Sequence, residues 1–220
     1  MKSITPALAI LSLIVISGCS SDGSAGGDTP TPLPTETVSA QLSPTSRENF
    51  WTLANEATAD FGTRDYKNLN TDANGANAYT QVGYGNTAGG LTYYAFAGLN
   101  QTDVLTGPIV TTGSVSYDAH YSINEIKDIA ANSEEISYTY GELTLLADFS
   151  DNTITGQDDL LSINGTLTDG SKAFDGTVTW RGTAGEVEGM VSGTGMIGAF
   201  QGSSDNIVYA GTISGDSIPE

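Results

Sequence analysis

Gly141-Glu142-Leu143-Thr144-Leu145-Leu146-Ala147-Asp148-Phe149-Ser150-Asp151-Asn152-Thr153-Ile154-Thr155-Gly156 reads as a strand, a tight polar turn and a second strand. The same unit recurs on both sides of it. Downstream, candidate strands cover Leu160 to Leu167, Ala173 to Arg181, Glu186 to Ala199 and Asn206 to Ser214. They are separated by the turn signals Thr168-Asp169-Gly170-Ser171, Gly182-Thr183-Ala184-Gly185 and Gly202-Ser203-Ser204-Asp205-Asn206. Upstream, the strand that holds Gly141 extends back to Glu135, and Gly113-Ser114-Val115-Ser116-Tyr117 continues the style. Period-two alternation is already present at Tyr79 and is clear where Thr92, Tyr94 and Phe96 interleave with Tyr93, Ala95 and Ala97. Short strands at regular spacing with polar turns describe an all-β antiparallel sandwich or barrel.

Glycine narrows the choice. Of the 27 glycines, Gly165, Gly176, Gly189, Gly193, Gly198 and Gly211 fall beside Val, Thr or aromatic residues inside the strand patterns. A glycine in a strand marks a bulge, a sharp bend or the close approach of another backbone, and a strongly curved closed sheet needs such positions. The expected fold is therefore a small antiparallel β-barrel of eight or nine strands over residues 79–220, with an interior narrow enough for side chains to fill. Before it, Phe50, Leu53, Ala54, Ala57 and Phe61 recur at helical spacing between Ser46 and Gly62, which predicts a short helix within an otherwise irregular segment, 46–78, packing on the barrel.

The N-terminal end carries an address. Lys2 precedes an apolar stretch from Ala7 to Ile16, the charged and apolar parts of a secretory signal, and that stretch is too short to span a bilayer as a helix. It ends in Ile16-Ser17-Gly18-Cys19, which resembles a bacterial lipobox, where small residues give a peptidase access to the bond before an acylated cysteine. Residues 1–18 are then a lipoprotein signal peptide and Cys19 the lipid-attachment site, carrying palmitate-type acyl chains that anchor the chain to the membrane. The competing reading makes Cys19 an ordinary residue near a different cleavage site. Since Cys19 is the single cysteine, no disulfide, thiolate metal site or thiol nucleophile remains. Ser20 and Ser21 follow it where inner-membrane retention uses Asp, so the outer membrane is the expected location. Residues 19–45, rich in Ser, Gly, Thr and Pro, read as a disordered tether.

Charge excludes one class of partner. With 26 acidic residues against seven Lys and Arg, a formal net charge of -19, the chain lacks the cationic clusters that phosphate recognition needs, so no nucleic acid is expected. The charge is explained by solubility and mutual repulsion, with a basic ligand as the alternative.

Chemistry-bearing residues are sparse. His120 is the only histidine, it lies in the strand pattern Tyr117-Asp118-Ala119-His120-Tyr121, and no Gly-x-Ser-x-Gly elbow accompanies it. A strand histidine is a partly exposed, hydrogen-bonded residue or, alternatively, a haem or metal contact, and His120 is the sole candidate ligand-binding residue by this route. No catalytic residues, no resident cofactor and no metal site are expected, since one histidine cannot close a zinc site. Asp72-Ala73-Asn74-Gly75 resembles a fragment of a calcium loop, and Asp148, Asp151, Asn152, Asp158 and Asp159 cluster, but the EF-hand spacing is missing and Asp and Asn are ordinary turn residues. Tyr79, Tyr84, Tyr93, Tyr94, Tyr117, Tyr121, Tyr138 and Tyr140 serve either cross-strand packing or a recognition surface. Trp51 and Trp180 read as core or barrel-end residues.

Taken in order, Gly113 to Tyr117, Gly141 to Phe149, Asn152 to Gly156, Phe174-Asp175-Gly176-Thr177-Val178, Gly198-Ala199-Phe200-Gln201-Gly202-Ser203-Ser204-Asp205 and Tyr209-Ala210-Gly211-Thr212-Ile213 resemble the β-barrel domain of the transferrin-binding protein B family. The resemblance covers roughly residues 107–215. It implies an eight-stranded barrel on a lipid-anchored, surface-displayed tether, a protein or haem ligand, and an outer-membrane export modulator as partner. Family members contact their ligands through variable loops and a handle domain, and this chain is too short for their two-lobed architecture. The expected function is a non-enzymatic binding module on an outer-membrane lipoprotein. A structural envelope lipoprotein without a specific ligand, or a haem or solute carrier, is the alternative.

Overall fold

Outward-facing residues decide where each layer of this protein lies. The structure is a computed structural model that describes residues 36–39, 47–62, 64–100, 105–129 and 136–219. Cys19, the signal segment, Ser46 and most of the tether lie outside the described residues. In chain order the elements are β1 (Glu36–Ser39), α1 (Arg47–Ala57), β2 (Arg64–Ala73), β3 (Ala76–Thr87) and β4 (Gly90–Leu99). There follow β5 (Ser114–Lys127), β6 (Ile136–Asp148), β7 (Thr153–Gln157), β8 (Leu161–Leu167), β9 (Ala173–Trp180), β10 (Thr183–Val191), β11 (Gly195–Ser204) and β12 (Ile207–Ser217).

Strands β5 to β12 form a closed antiparallel barrel in which each strand pairs with its sequence neighbour and β12 returns to pair with β5. The eight-stranded barrel expected from the sequence is present. Its interior is filled: Tyr117, Tyr121, Leu145, Ile163, Phe174, Trp180, Phe200 and Tyr209 all pack into one buried cluster. Along β6 the alternation is plain, with Leu143, Leu145 and Ala147 buried and Glu142, Thr144 and Leu146 exposed.

The in-strand glycines do not sit at bulges, because the pairing registers around the barrel run without interruption. Several are seats for aromatic rings. Gly141 is directly opposite Tyr121, Gly189 opposite Phe174, Gly211 opposite Phe200 and Gly202 opposite Tyr209. A Cβ on Gly189 would stand 2.3 Å from the Phe174 ring, and one on Gly211 2.4 Å from the Phe200 ring. Laying a ring across a cross-strand glycine lets a bulky residue fill a narrow, curved interior without pushing the wall outward.

Three boundaries differ from the sequence expectation. The barrel begins at Ser114, not at Tyr79: β1 to β4 form a separate four-stranded sheet, ordered β1-β4-β3-β2, in which β1 joins β4 in parallel and the other pairs are antiparallel. Period-two alternation is the same for either sheet, so it cannot assign a strand to one of them. Within the segment expected to be irregular or helical, the helix is present but Arg64–Ala73 is a strand, and Glu36–Ser39, expected in the tether, pairs with β4. Finally, Glu186 to Ala199 is two strands. The chain reverses at Ser192-Gly193-Thr194, where Ser192 Oγ accepts hydrogen bonds from Thr194 N at 3.3 Å and Gly195 N at 3.2 Å.

In the separate sheet β3 and β4 are buried on both faces, while β2 is largely exposed. Ala76, Ala78, Ala97 and Leu99 lie against Ile197 and Ala199 of β11, and Val82, Tyr93 and Ala95 lie against Ile126, Val208 and Ala210 of the barrel wall. Alanines on both sides bring the two sheets close. Thr71 and Thr212 hydroxyls bond across the junction at 2.5 Å, and Asn74 Nδ2 donates to Asp216 Oδ1 at 3.1 Å. On the far face Phe50 and Ala54 of α1 cover Tyr79, Tyr94 and Phe96, with Trp51 and Phe61 at the edge. Burial of its phenol pushes the Tyr94 hydroxyl up to about 12.

Candidate binding site: an exposed tyrosine strip

The β5–β6 pair holds the longest strands of the barrel, and its outer face is, among the described residues, the one place where large aromatic side chains point to solvent in a row. Because residues two apart share a face, Tyr138, Tyr140 and Glu142 line up on β6 beside His120 and Ser122 on β5, with His120 paired to Glu142 and Ser122 to Tyr140. Tyr138 is 58% exposed and Tyr140 54%. Leu146, also exposed, lies further along the same face.

Both phenols are held in place although they are exposed. Tyr138 Oη donates to Ser122 Oγ at 3.1 Å. Tyr140 Oη meets His120 Nδ1 at 2.9 Å and Glu142 Oε1 at 3.5 Å, and its ring stacks on the imidazole with centroids 5.9 Å apart and planes 16° from parallel. His120 Nδ1 also lies 3.4 Å from Glu142 Oε1. Desolvation first, and then the charge and hydrogen bond of Glu142, push the Tyr140 hydroxyl above its ordinary value, so it stays neutral and a donor at physiological pH. The result is a pair of pre-oriented aromatic plates with hydroxyl tips and a carboxylate rim. Such residues give contact area at low entropic cost.

His120, the sequence candidate, therefore stands in the exposed strip and not in the barrel interior, and its Nδ1 is engaged by Tyr140. It also borders a shallow hollow with Asp72, Asn74, Asp118 and Asp216. Among the described residues no group of three or more His, Cys, Asp and Glu is arranged to hold a metal ion. The calcium-like fragment is a hairpin turn: Asn74 and Gly75 have φ of 49° and 85°, the left-handed pair that an Asn-Gly two-residue turn adopts. Asp148 and Asp158 use their Oδ1 atoms to accept backbone N–H groups of Ser150 and Asp151, and of Leu160 and Leu161. Of the other tyrosines, Tyr79, Tyr93, Tyr94, Tyr117 and Tyr121 are buried packing residues.

Sequence reasoning missed a second polar group, at the barrel mouth where β5, β7, β9 and β11 end. Glu125, fully buried, accepts from Trp180 Nε1 at 2.6 Å, pairs with Arg181 Nε at 3.3 Å and accepts from Ser137 Oγ at 3.3 Å. Arg181 lies 5.0 Å over the Trp180 ring, and Tyr121 Oη donates to Asp158 Oδ2 at 2.6 Å beside it. These groups close the mouth with satisfied charges, a structural use. The adjacent Trp180-Arg181 pair was its only sequence trace.

No protein-family model matches the chain, and no curated protein is similar to it. Among solved structures, it is similar to intact Ap-TbpB with N and C lobes, at 10% identity and a TM-score of 0.42, covering 72% of this chain and 39% of that one. It is also similar to the isotype 1 transferrin binding protein B from serogroup B Neisseria meningitidis, at 12% identity and a TM-score of 0.41, covering 69% of this chain and 35% of that one. The chain thus spans well under half the length of either structure, and the likeness is one of fold.

Proposed function

We propose that this chain is a lipid-anchored outer-membrane lipoprotein, displayed at the cell surface, whose barrel is a non-enzymatic module that binds a partner protein through the Tyr138, Tyr140 and His120 strip. The exposed, hydrogen-bonded tyrosine pair carries the reading: oriented aromatic residues at a solvent-facing wall are what protein interfaces use as anchors. The anchor rests on the run Leu13 to Cys19. The filled barrel interior favours a surface interaction over carriage of a solute within the barrel.

The test joins the two halves. Cells producing the full chain are labelled with a palmitate analogue and shaved with protease, and partners are captured from the growth environment with the soluble domain. Label lost in Cys19→Ala, a domain removed by protease from intact cells, and a partner retained by the wild-type domain but not by Tyr138→Ser/Tyr140→Ser are expected. A protected domain overturns display. Equal capture by the double variant overturns the strip.

A further inference from the structure

A groove of about 900 Å³ runs along the outside of the barrel where β9 and β10 face the chain that follows β4. Leu99, Ile109 and Met190 give it apolar walls, and Lys172, Asp175 and Glu188 bring charge to it. Glu188 points outward from β10, directly across from Asp175 on β9. Its carboxylate accepts the backbone N–H of Leu99, while Oε1 is buried and has no hydrogen-bond partner among the described residues. A buried acceptor without a donor is costly, and a second carboxylate opposite it adds repulsion. The nearby cation is already engaged, since Lys172 Nζ donates to the Leu105 carbonyl.

We propose that this groove binds a small organic cation, a protonated primary amine on an apolar body, with the ammonium between Glu188 and Asp175 and the apolar part against Leu99, Ile109 and Met190. An ammonium brings three donors to a place where Glu188 Oε1 has no partner among the described residues and Asp175 stands exposed opposite it, and the apolar walls reward a hydrocarbon body that a bare metal ion lacks. Two facing carboxylates disfavour an anion. The wall is also tuned to respond: burial, with Asp175 adding to it, pushes the Glu188 carboxyl up from 4.5 to about 7. The charged groups facing Glu188 are Asp175 from β9 and Lys172 from the turn before it, with Glu186 two residues back on its own strand. Its β11 partner Ala199 and Leu99 of β4 are neutral.

Titration calorimetry of the full mature chain with phenethylamine, run at pH 7 in two buffers of different ionisation heat, tests this. Saturable binding with release of about half a proton is expected, because the bound ammonium holds Glu188 ionised, and the release disappears at pH 9. Glu188→Gln and Asp175→Asn are each expected to weaken binding by at least about tenfold, and the first abolishes the proton release. The neutral analogue 2-phenylethanol binds less tightly than the amine. Absence of saturable binding, equal affinity for the neutral analogue, or proton release that survives in Glu188→Gln overturns the proposal. Should Glu188→Gln fail to fold, the wild-type proton release and Asp175→Asn decide it.

Discussion

The two outer walls of this barrel follow the same strand geometry and differ in what they show to their surroundings. Along β11, β12 and the end of β5 the outward positions include Ile197, Ala199, Val208, Ala210 and Ile126 beneath the four-stranded sheet, with the buried polar residues Asn124, Gln201 and Thr212 among them. Along β6 and β7 the outward positions are Tyr138, Tyr140, Glu142, Thr144, Leu146, Thr153 and Thr155, all exposed. Covered wall is uncharged at these positions and mostly aliphatic, with alanines where the second sheet approaches. Open wall is β-branched, charged and aromatic. Residue identity at outward positions, and not the period, tells which wall is which.

The largest effect should come from making the covered wall resemble the open one. Ala210→Asp places a carboxylate among the buried apolar Val82, Tyr93 and Ala95, and should lower stability by about 3–5 kcal/mol, or detach the sheet from the barrel. Thr155→Asp, at an exposed outward position of β7, should stay within about 0.5 kcal/mol. Denaturant unfolding of both variants checks the contrast; equal losses would mean that the sheet is not a docked layer.

That contrast also measures what was legible. A small antiparallel barrel and the helix followed from period and spacing, the count of eight strands from the resemblance, and most turns from Gly, Asn and Asp. The sheet was misassigned because β4, sandwiched between barrel and helix, buries outward and inward residues alike: Thr92-Tyr93-Tyr94-Ala95-Phe96-Ala97 is buried throughout, and nothing local says which neighbour covers which face. His120 was found because it is unique, but its stacking on Tyr140 depends on the register between β5 and β6, which sequence does not fix. Tyr138 and Tyr140 were named among eight tyrosines and could not be separated from Tyr93 or Tyr117, since exposure depends on what lies opposite the strand. The Glu125, Trp180 and Arg181 group was out of reach because 55 residues separate its carboxylate from its indole.

A smaller effect marks the border between the walls, where Glu188 meets the end of β4. A carboxyl raised from 4.5 to about 7 in the folded state binds more protons there than in the unfolded chain. Stability therefore falls as pH rises from about 4.5 through about 7, and is level above that. The loss is less than the full shift implies, because the group is partly solvated. Thermal unfolding from pH 4.5 to 8 should show this downward slope, superimposed on the other carboxylates, and Glu188→Gln should flatten it. An unchanged slope in the variant removes Glu188 as its source.

The smallest effect on the fold is expected where the effect on function is largest. Tyr138 and Tyr140 contact solvent on one side and, among the described residues, hydrogen-bond only to Ser122, His120 and Glu142, themselves at or near the surface. Replacing both by serine removes no buried packing and leaves no buried polar group unpaired, so stability should change by no more than about 0.5 kcal/mol per site. The rings do lie over the β5–β6 ladder, and if they serve cross-strand packing, as Phe200 and Tyr209 do inside, the loss per ring would reach about 1 kcal/mol. Unfolding of the double variant separates the two uses. A near-unchanged midpoint removes sheet packing as the use of the two phenols and leaves the capture experiment to decide recognition; a clear drop assigns the strip to the sheet, and the open wall would then differ from the covered one in what it lacks and not in what it offers.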